Sequence, residues 1–376
     1  MNRRRWSLLN GTLGVVLVLA TGSAVQAQGP MTNPHISAQA AILVNPRNGT
    51  ILYEKDAFRQ MDPASLTKMM TAIVILKAGH LSREVRISAK AAYVEGSKLH
   101  IRPGQRYSEL DLLRGLLVRS GNDAAIALAE AHSGSVDRFA IKMNQAAQQL
   151  GAWNTRFQNP NGLTEPGHYS DAYDLALIAR KAMRFPVFRH IVASKQLDVF
   201  ERTSGTTRTI RTTNRLLYEY PGANGIKTGT TSAAGKCLVA SASQDGSSLL
   251  AVVLKSDDRW QDARTLLNWG FSHWENCQIY HRGQVVADAS VVGGREAWVP
   301  LIARSSLEVT MPKGARVRVV EQFSRRLKAP VAKGPIGYVY VVAGEEPPVR
   351  VAVGPEHAVP VQRRFPRFWN ASLGIL

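Results

Sequence analysis

Residues 39–54, QAAILVNPRNGTILYE, carry two apolar stretches on either side of Asn48-Gly49, and this pattern predicts a β-hairpin. The next apolar stretch, DPASLTKMMTAIVIL at 62–76, reads as a helix with Asp62 at its N-cap and Pro63 at its first position. Between 109 and 131 two helical runs are interrupted at Ser120-Gly121-Asn122. Helical periodicity returns at 139–150 and at 172–183, where Asp171 and Asp174 suit the start of the helix. Residues 154–170, with Pro160, Gly162, Pro166 and Gly167, read as loop. From 225 to 256 the pattern predicts two strands around Gln244-Asp245-Gly246, with Lys227-Thr228-Gly229 starting the first. DRWQDARTLLNWGFSHW at 258–274 reads as a last helix.

Strands thus open this region, helices fill its middle, and strands plus one helix close it. That order predicts an α/β (α+β) domain in which distant parts of the chain share one sheet. Beyond Gln278 the texture changes to short β-rich runs split by Gly and Pro, which predicts a smaller all-β domain over 278–362. A length of 376 residues suits two domains.

Both ends carry further signals. Arg3–Arg5, an apolar run at 8–20 and the small residues Val25 and Ala27 read as a secretory signal peptide over 1–27. At the other end, 363–376 places Phe365, Phe368, Trp369, Leu373, Ile375 and Leu376 on one side of a helix and Arg363, Arg364, Arg367 and Asn370 on the other. Such a helix lies in a membrane interface; a frayed tail is the alternative. The expected mature domain boundaries are therefore 28–277, 278–362 and 363–376.

Charge fits export. The chain has 47 Lys and Arg against 28 Asp and Glu, a net +19. A nucleic-acid partner is set aside because the mature chain is expected to leave the cytoplasm; an anionic envelope is the expected setting. Cys237 and Cys277 either pair or stay free, and two cysteines without an HExxH pattern give no metal-site signature and call for no cofactor.

The chemistry begins at Ser65 and Lys68. Three positions apart on a helix, they share one face. A serine hydroxyl attacks poorly until a base takes its proton, and a discharged lysine can be that base. Burial, neighbouring positive charge and the helix start would all discharge it. The N–H groups there can also hold an oxyanion. Ser120-Gly121-Asn122 puts polar groups at a bend, and Lys227-Thr228-Gly229 adds a second lysine, a hydroxyl and a glycine open to a substrate backbone.

S-x-x-K, S-x-N and K-T-G each occur once, in this order, and the set resembles the signature of penicillin-binding proteins and serine β-lactamases. The longer strings DPASLTKMMTA, SGNDAAIALAE, NPNGLTEPGHYSDAYDLALIAR and NGIKTGTTSAAGKCLVASA resemble the low-molecular-mass D-alanyl-D-alanine carboxypeptidases. The resemblance spans 35–275 strongly and extends to the β-module and basic tail, which look like that family's stalk and membrane anchor. It implies a penicillin-binding transpeptidase-type fold and removal of the terminal D-alanine from peptidoglycan stem pentapeptides. It further implies that Ser65 is acylated, Lys68 is its base, Ser120 relays protons and Asn122 holds the substrate backbone. Lys227 and Thr228 would receive the terminal carboxylate, and the N–H groups of Ser65 and Thr230 would form the oxyanion hole. β-Lactams would acylate the same serine, at the outer face of the inner membrane.

Three rivals remain. A class A β-lactamase needs a glutamate to position water, and Glu165 is present, though in a carboxypeptidase-like context. A D,D-endopeptidase would use the same residues. A non-catalytic envelope-binding protein would leave the three motifs without a shared purpose. Arg259 is either a further carboxylate contact or a solvent-facing charge. Trp260, Trp269 and Trp274 read as packing residues.

Overall fold

The structure, a computed structural model, describes residues 15–16, 32–343 and 347–363. Among the described residues the chain forms two compact units, one ending at Trp274 and one beginning at Glu275.

The larger unit is built on a five-stranded antiparallel sheet. Its order is Ile51–Lys55, Ala40–Val44, Ser247–Ser256, Gly235–Gln244 and Ala223–Thr231. The strand Ala40–Val44 reads AAILV without polar alternation because both of its faces are covered. Ala40, Ile42 and Val44 join Met69, Met70 and Ile73 on one side. Ala41 and Leu43 join Leu266 and Leu267 of the helix Arg259–His273 on the other. The helix Lys68–Ala78 has no polar face, since it runs through the core and is buried from Lys68 to Ile75. It ends at Gly79, whose φ of +78° closes it in the left-handed region.

Several expectations need correction. Asp62 does not cap the first helix; a 3-10 turn, Ala64–Thr67, follows Pro63, and the α-helix starts at Lys68. The chain must swing at Ala64, which sits at φ +48°, before the helix can enter the core. The 225–256 region holds three strands rather than two, and Lys227-Thr228-Gly229 lies inside Ala223–Thr231 rather than at its start. That strand leaves the turn at Gly222, whose φ of +76° suits glycine. A small sheet of Glu84–Arg86, Arg106–Ser108, Gln196–Glu201 and Thr206–Arg211 was not legible. Its strand TTRTIR is exposed at every position except Ile210, so it shows little apolar pattern. The short helix Ala89–Tyr93 also lacks a readable period, while Pro186–Ala193 has one, with Phe188, Ile191 and Val192 buried at helical spacing.

The smaller unit is all β, as predicted. Val317–Gln322, Gly337–Ala343, Val349–Pro355, Trp298–Ala303 and Val285–Val292 lie side by side in one sheet. Alternate residues such as Val319, Val339, Val341, Val351 and Val353 fill its core. Cys237 and Cys277 are free thiols. The amphipathic tail expected at 363–376 lies, beyond Arg363, outside the described residues, as does the leader at 1–27 apart from the backbone of Val15–Val16. Among the described residues no helix is long and apolar enough to cross a membrane.

Candidate active site

Two glycines seat the serine turn. A Cβ at Gly229 would lie 3.1 Å from the Ala64 Cβ and 3.2 Å from the Ser65 nitrogen. Gly229 therefore lets the turn pack on its strand, a more immediate need than the substrate approach expected of it. On the loop, Gly162 has φ +82°, and a Cβ there would lie 1.9 Å from the Ala64 carbonyl oxygen. Strand and loop hold the turn between them.

The Lys68 side chain is fully buried. Its Nζ lies 2.8 Å from Ser65 Oγ, 2.7 Å from Asn122 Oδ1 and 2.5 Å from the Asn161 carbonyl oxygen. The Asn122 amide orientation is set from its other end, where Nδ2 donates to the Glu95 carbonyl at 2.7 Å. Burial holds the Lys68 amine well below its usual range, and Lys227 pushes it the same way, while Asp123 pulls it back up. A neutral amine has two hydrogens and one lone pair. The two carbonyl-type oxygens can only accept, so they take both hydrogens. In that neutral form the lone pair is left for the Ser65 hydroxyl to donate to, whereas a charged amine donates to Ser65 Oγ.

The second lysine closes the other side. Lys227 Nζ donates to Ser120 Oγ at 2.9 Å and to the Thr228 carbonyl at 2.8 Å. Burial pushes its amine down to about 7, and the Arg259 guanidinium adds to that. Ser120 stands at φ +59° between the helices Glu109–Val118 and Asn122–Ser133. A non-glycine residue in that region stores strain, which is characteristic of functional bends. Thr228 Oγ1 lies 3.0 Å from Thr213 Oγ1. Thr230 Oγ1 donates to the Gly229 carbonyl at 2.8 Å and accepts from Arg259 Nη1 at 2.7 Å. Arg259 is thus tied to this strand and is not a solvent-facing charge; its Nη1 also reaches the Gly229 carbonyl.

The structure adds residues that motif spacing did not single out. Asn161 supplies a ligand oxygen through its backbone, which no side-chain pattern could announce. His168 is buried, accepts from Gln158 N on Nδ1 and therefore donates from Nε2 to Thr67 Oγ1 at 2.9 Å. Burial pushes its pKa down to about 4. Glu165 is exposed and accepts from Asn159 Nδ2 at 3.0 Å. Asp171 caps its helix by accepting from Asp174 N, as expected. Trp260 packs beside both Arg259 and Arg215, with guanidinium carbons 4.8 and 5.9 Å from its ring centre.

Hydroxyl, discharged amine and oriented amides in one buried cluster define a serine hydrolase site. Residues 26–258 match the D-alanyl-D-alanine carboxypeptidase family, and residues 274–356 match the C-terminal domain of penicillin-binding protein 5. The D-alanyl-D-alanine carboxypeptidase DacF of Bacillus subtilis is 33% identical over 335 residues, covering 86% of each chain. DacC of Escherichia coli is 33% identical over 350 residues, covering 88% of this chain and 86% of that one. Penicillin binding protein 5 of Haemophilus influenzae superposes with a TM-score of 0.76 at 33% identity, covering 88% of this chain and all of that one. A variant of the Streptomyces K15 DD-transpeptidase gives a TM-score of 0.62 at 35% identity over 64% of this chain. The chain belongs to the D-alanyl-D-alanine carboxypeptidase family and is a serine-type hydrolase of that kind.

Proposed function

We propose that the enzyme removes the terminal D-alanine of peptidoglycan stem peptides through an acyl-enzyme on Ser65. The observation that carries this reading is the buried Lys68 amine, held between Asn122 Oδ1, the Asn161 carbonyl and Ser65 Oγ, where burial and Lys227 favour its neutral, proton-accepting form. Ser65 Oγ attacks the penultimate D-alanine carbonyl as its proton passes to Lys68 Nζ. The N–H groups of Ser65 and Thr230 receive the oxyanion. Lys227 and Thr228 take the terminal carboxylate, and Asn122 steers the substrate backbone. Ser120, bonded to Lys227, relays the proton taken up by Lys68 to the nitrogen of the departing D-alanine and is reprotonated in doing so. Water then attacks the ester and frees the shortened peptide. Arg259 fixes Thr230 and keeps Lys227 in check.

β-Lactams would acylate the same oxygen. Glu165, exposed and engaged by Asn159, is a weak candidate for a β-lactamase water-positioning group, which keeps that rival behind. In this reading residues 1–27 direct export and 363–376 hold the protein to the outer face of the inner membrane. Deleting 363–376 should then move the mature protein to the soluble fraction; unchanged fractionation would count against the anchor.

The test is incubation with a peptide ending in D-Ala-D-Ala, with a cross-linked muropeptide as the endopeptidase control. D-Alanine release should vanish in Ser65→Ala, and mass spectrometry should find a penicilloyl group on the Ser65 peptide of the native enzyme. Release at the native rate by Ser65→Ala would refute the reading.

A further inference from the structure

Asp123 follows Asn122 in the chain and takes no part in the three motifs. It is fully buried. Its Oδ1 accepts from Leu99 N and Ala124 N, each at 2.9 Å, and its Oδ2 accepts from Ile101 N at 3.3 Å. These bonds tie 99–101 to the start of the helix Asn122–Ser133. The segment just before it, 95–97, holds Asn122 twice: Glu95 O accepts from Asn122 Nδ2, and Ser97 O accepts from Asn122 N at 2.7 Å. Gly121 is part of the same closure, since a Cβ there would meet Asp123 Oδ1 at 2.7 Å and Leu99 N at 3.1 Å. The carboxylate thus stands behind the amide that orients the Lys68 lone pair.

We propose that Asp123 is a positioning residue for acyl transfer, pinning the 95–101 strap that orients Asn122 and placing a buried negative charge behind the Lys68 amine. This rests on Lys68 acting as the base. The charged groups facing Lys68 are Lys227 from the strand Ala223–Thr231, which disfavours its protonation, and Asp123 from the helix, which favours it. Around Asp123, Arg208 reaches the Leu99 carbonyl, and Tyr107 feels Asp123, Asp111, Glu201 and Arg208 together. Asp123 thus works against burial and Lys227, which discharge the amine, and helps Lys68 stay basic enough to take the serine proton. Removing it leaves an amine that is neutral at lower pH but weaker as a base.

The experiment is the pH profile of kcat/KM for D-alanine release in the full-length enzyme, native against Asp123→Asn. The variant keeps the shape and the Oδ1 acceptor, loses the charge and gives up the longer bond from Ile101 N. Its acid limb should move about one pH unit lower, and its plateau should fall about tenfold. A lowered plateau with an unmoved acid limb would overturn the proposal and leave Asp123 a merely structural tie. Asp123→Ser, which keeps an oxygen for the helix-start N–H groups, is read in parallel with the same expectation. If neither variant folds, the proposal is equally overturned and Asp123 is a folding element. Failure of the underlying reading looks different: the native enzyme itself would lack an acid limb, or Lys68→Ala would retain it.

Discussion

Lys68 and Lys227 face one another across the same small cluster, both buried, both hydrogen-bonded, yet they are held in different states. Burial lowers both. Lys68 then meets the positive charge of Lys227, and Lys227 meets that of Arg259. The outer cation discharges the inner amine, and each lysine's neighbours decide its task. Lys68 touches two oxygens that can only accept and one hydroxyl, so its spare lone pair has one outlet. Lys227 touches a hydroxyl and a carbonyl and is poised about 7, where an arriving carboxylate can hold it charged. A base and an anion receptor are thus made from one residue type.

Arginine in place of each lysine should separate the two roles most sharply, because a guanidinium does not give up its proton. Lys68→Arg should lower kcat/KM for D-alanine release by about a thousandfold. Lys227→Arg keeps the charge and should cost about tenfold. Equal losses would show that the two amines do the same work. Next in size is Gly162→Ala, which sets a methyl against the Ala64 carbonyl at a positive φ. It should lower stability by about 2–3 kcal/mol in urea unfolding and slow acylation with it; a neutral result would mean the loop does not clamp the serine turn.

Acid probes the Lys68 side of the comparison more gently. His168 titrates near 4 in the fold against 6.5 in an open chain, so the unfolded state binds more protons between those values. Its contribution is fully present above about 6.5 and is lost as pH falls toward 4. Asp174, raised to about 6 by burial, acts in the opposite direction, contributing most below its ordinary value and losing that as pH rises through 6. The histidine part is isolated by His168→Gln: the native protein's advantage should shrink by about 1–2 kcal/mol between pH 7 and pH 5. A constant gap would show that this histidine does not change charge. The smallest effect concerns Lys227. In native enzyme kcat/KM should decline above about pH 7 as the carboxylate-receiving ammonium is lost, and in Lys227→Arg that alkaline decline should disappear.

Motif spacing singled out Ser65, Lys68, Ser120, Asn122, Lys227 and Thr228 because the chemistry asks for those side chains whatever surrounds them, and the family resemblance added the backbone N–H of Thr230. The fold class was legible for a related reason: AAILV, MMTAIVIL and LLAVVL are long apolar stretches that only a doubly covered sheet or a core helix can use. What escaped was carried by backbone or by burial. The Asn161 carbonyl has no side-chain signature. The 3-10 turn at Ala64–Thr67 arises from packing against Gly162 and Gly229, neighbours remote in sequence. The four-stranded side sheet is made of short strands, and in Thr206–Arg211 only Ile210 is buried, so its pairing leaves little trace in apolar periodicity.

The pairing of Ala40–Val44 with Ser247–Ser256 has a consequence for how the enzyme comes into being. The central position of the sheet is filled by partners some two hundred residues apart, so closure must await the late strand, and such non-local contacts slow folding. A nascent chain that stops short of Ser256 has its serine and its first lysine but no wall to set them against. Synthesis therefore yields a working hydrolase only near the end of the domain, and a product cut off before Ser247–Ser256 lacks the strand that closes the sheet.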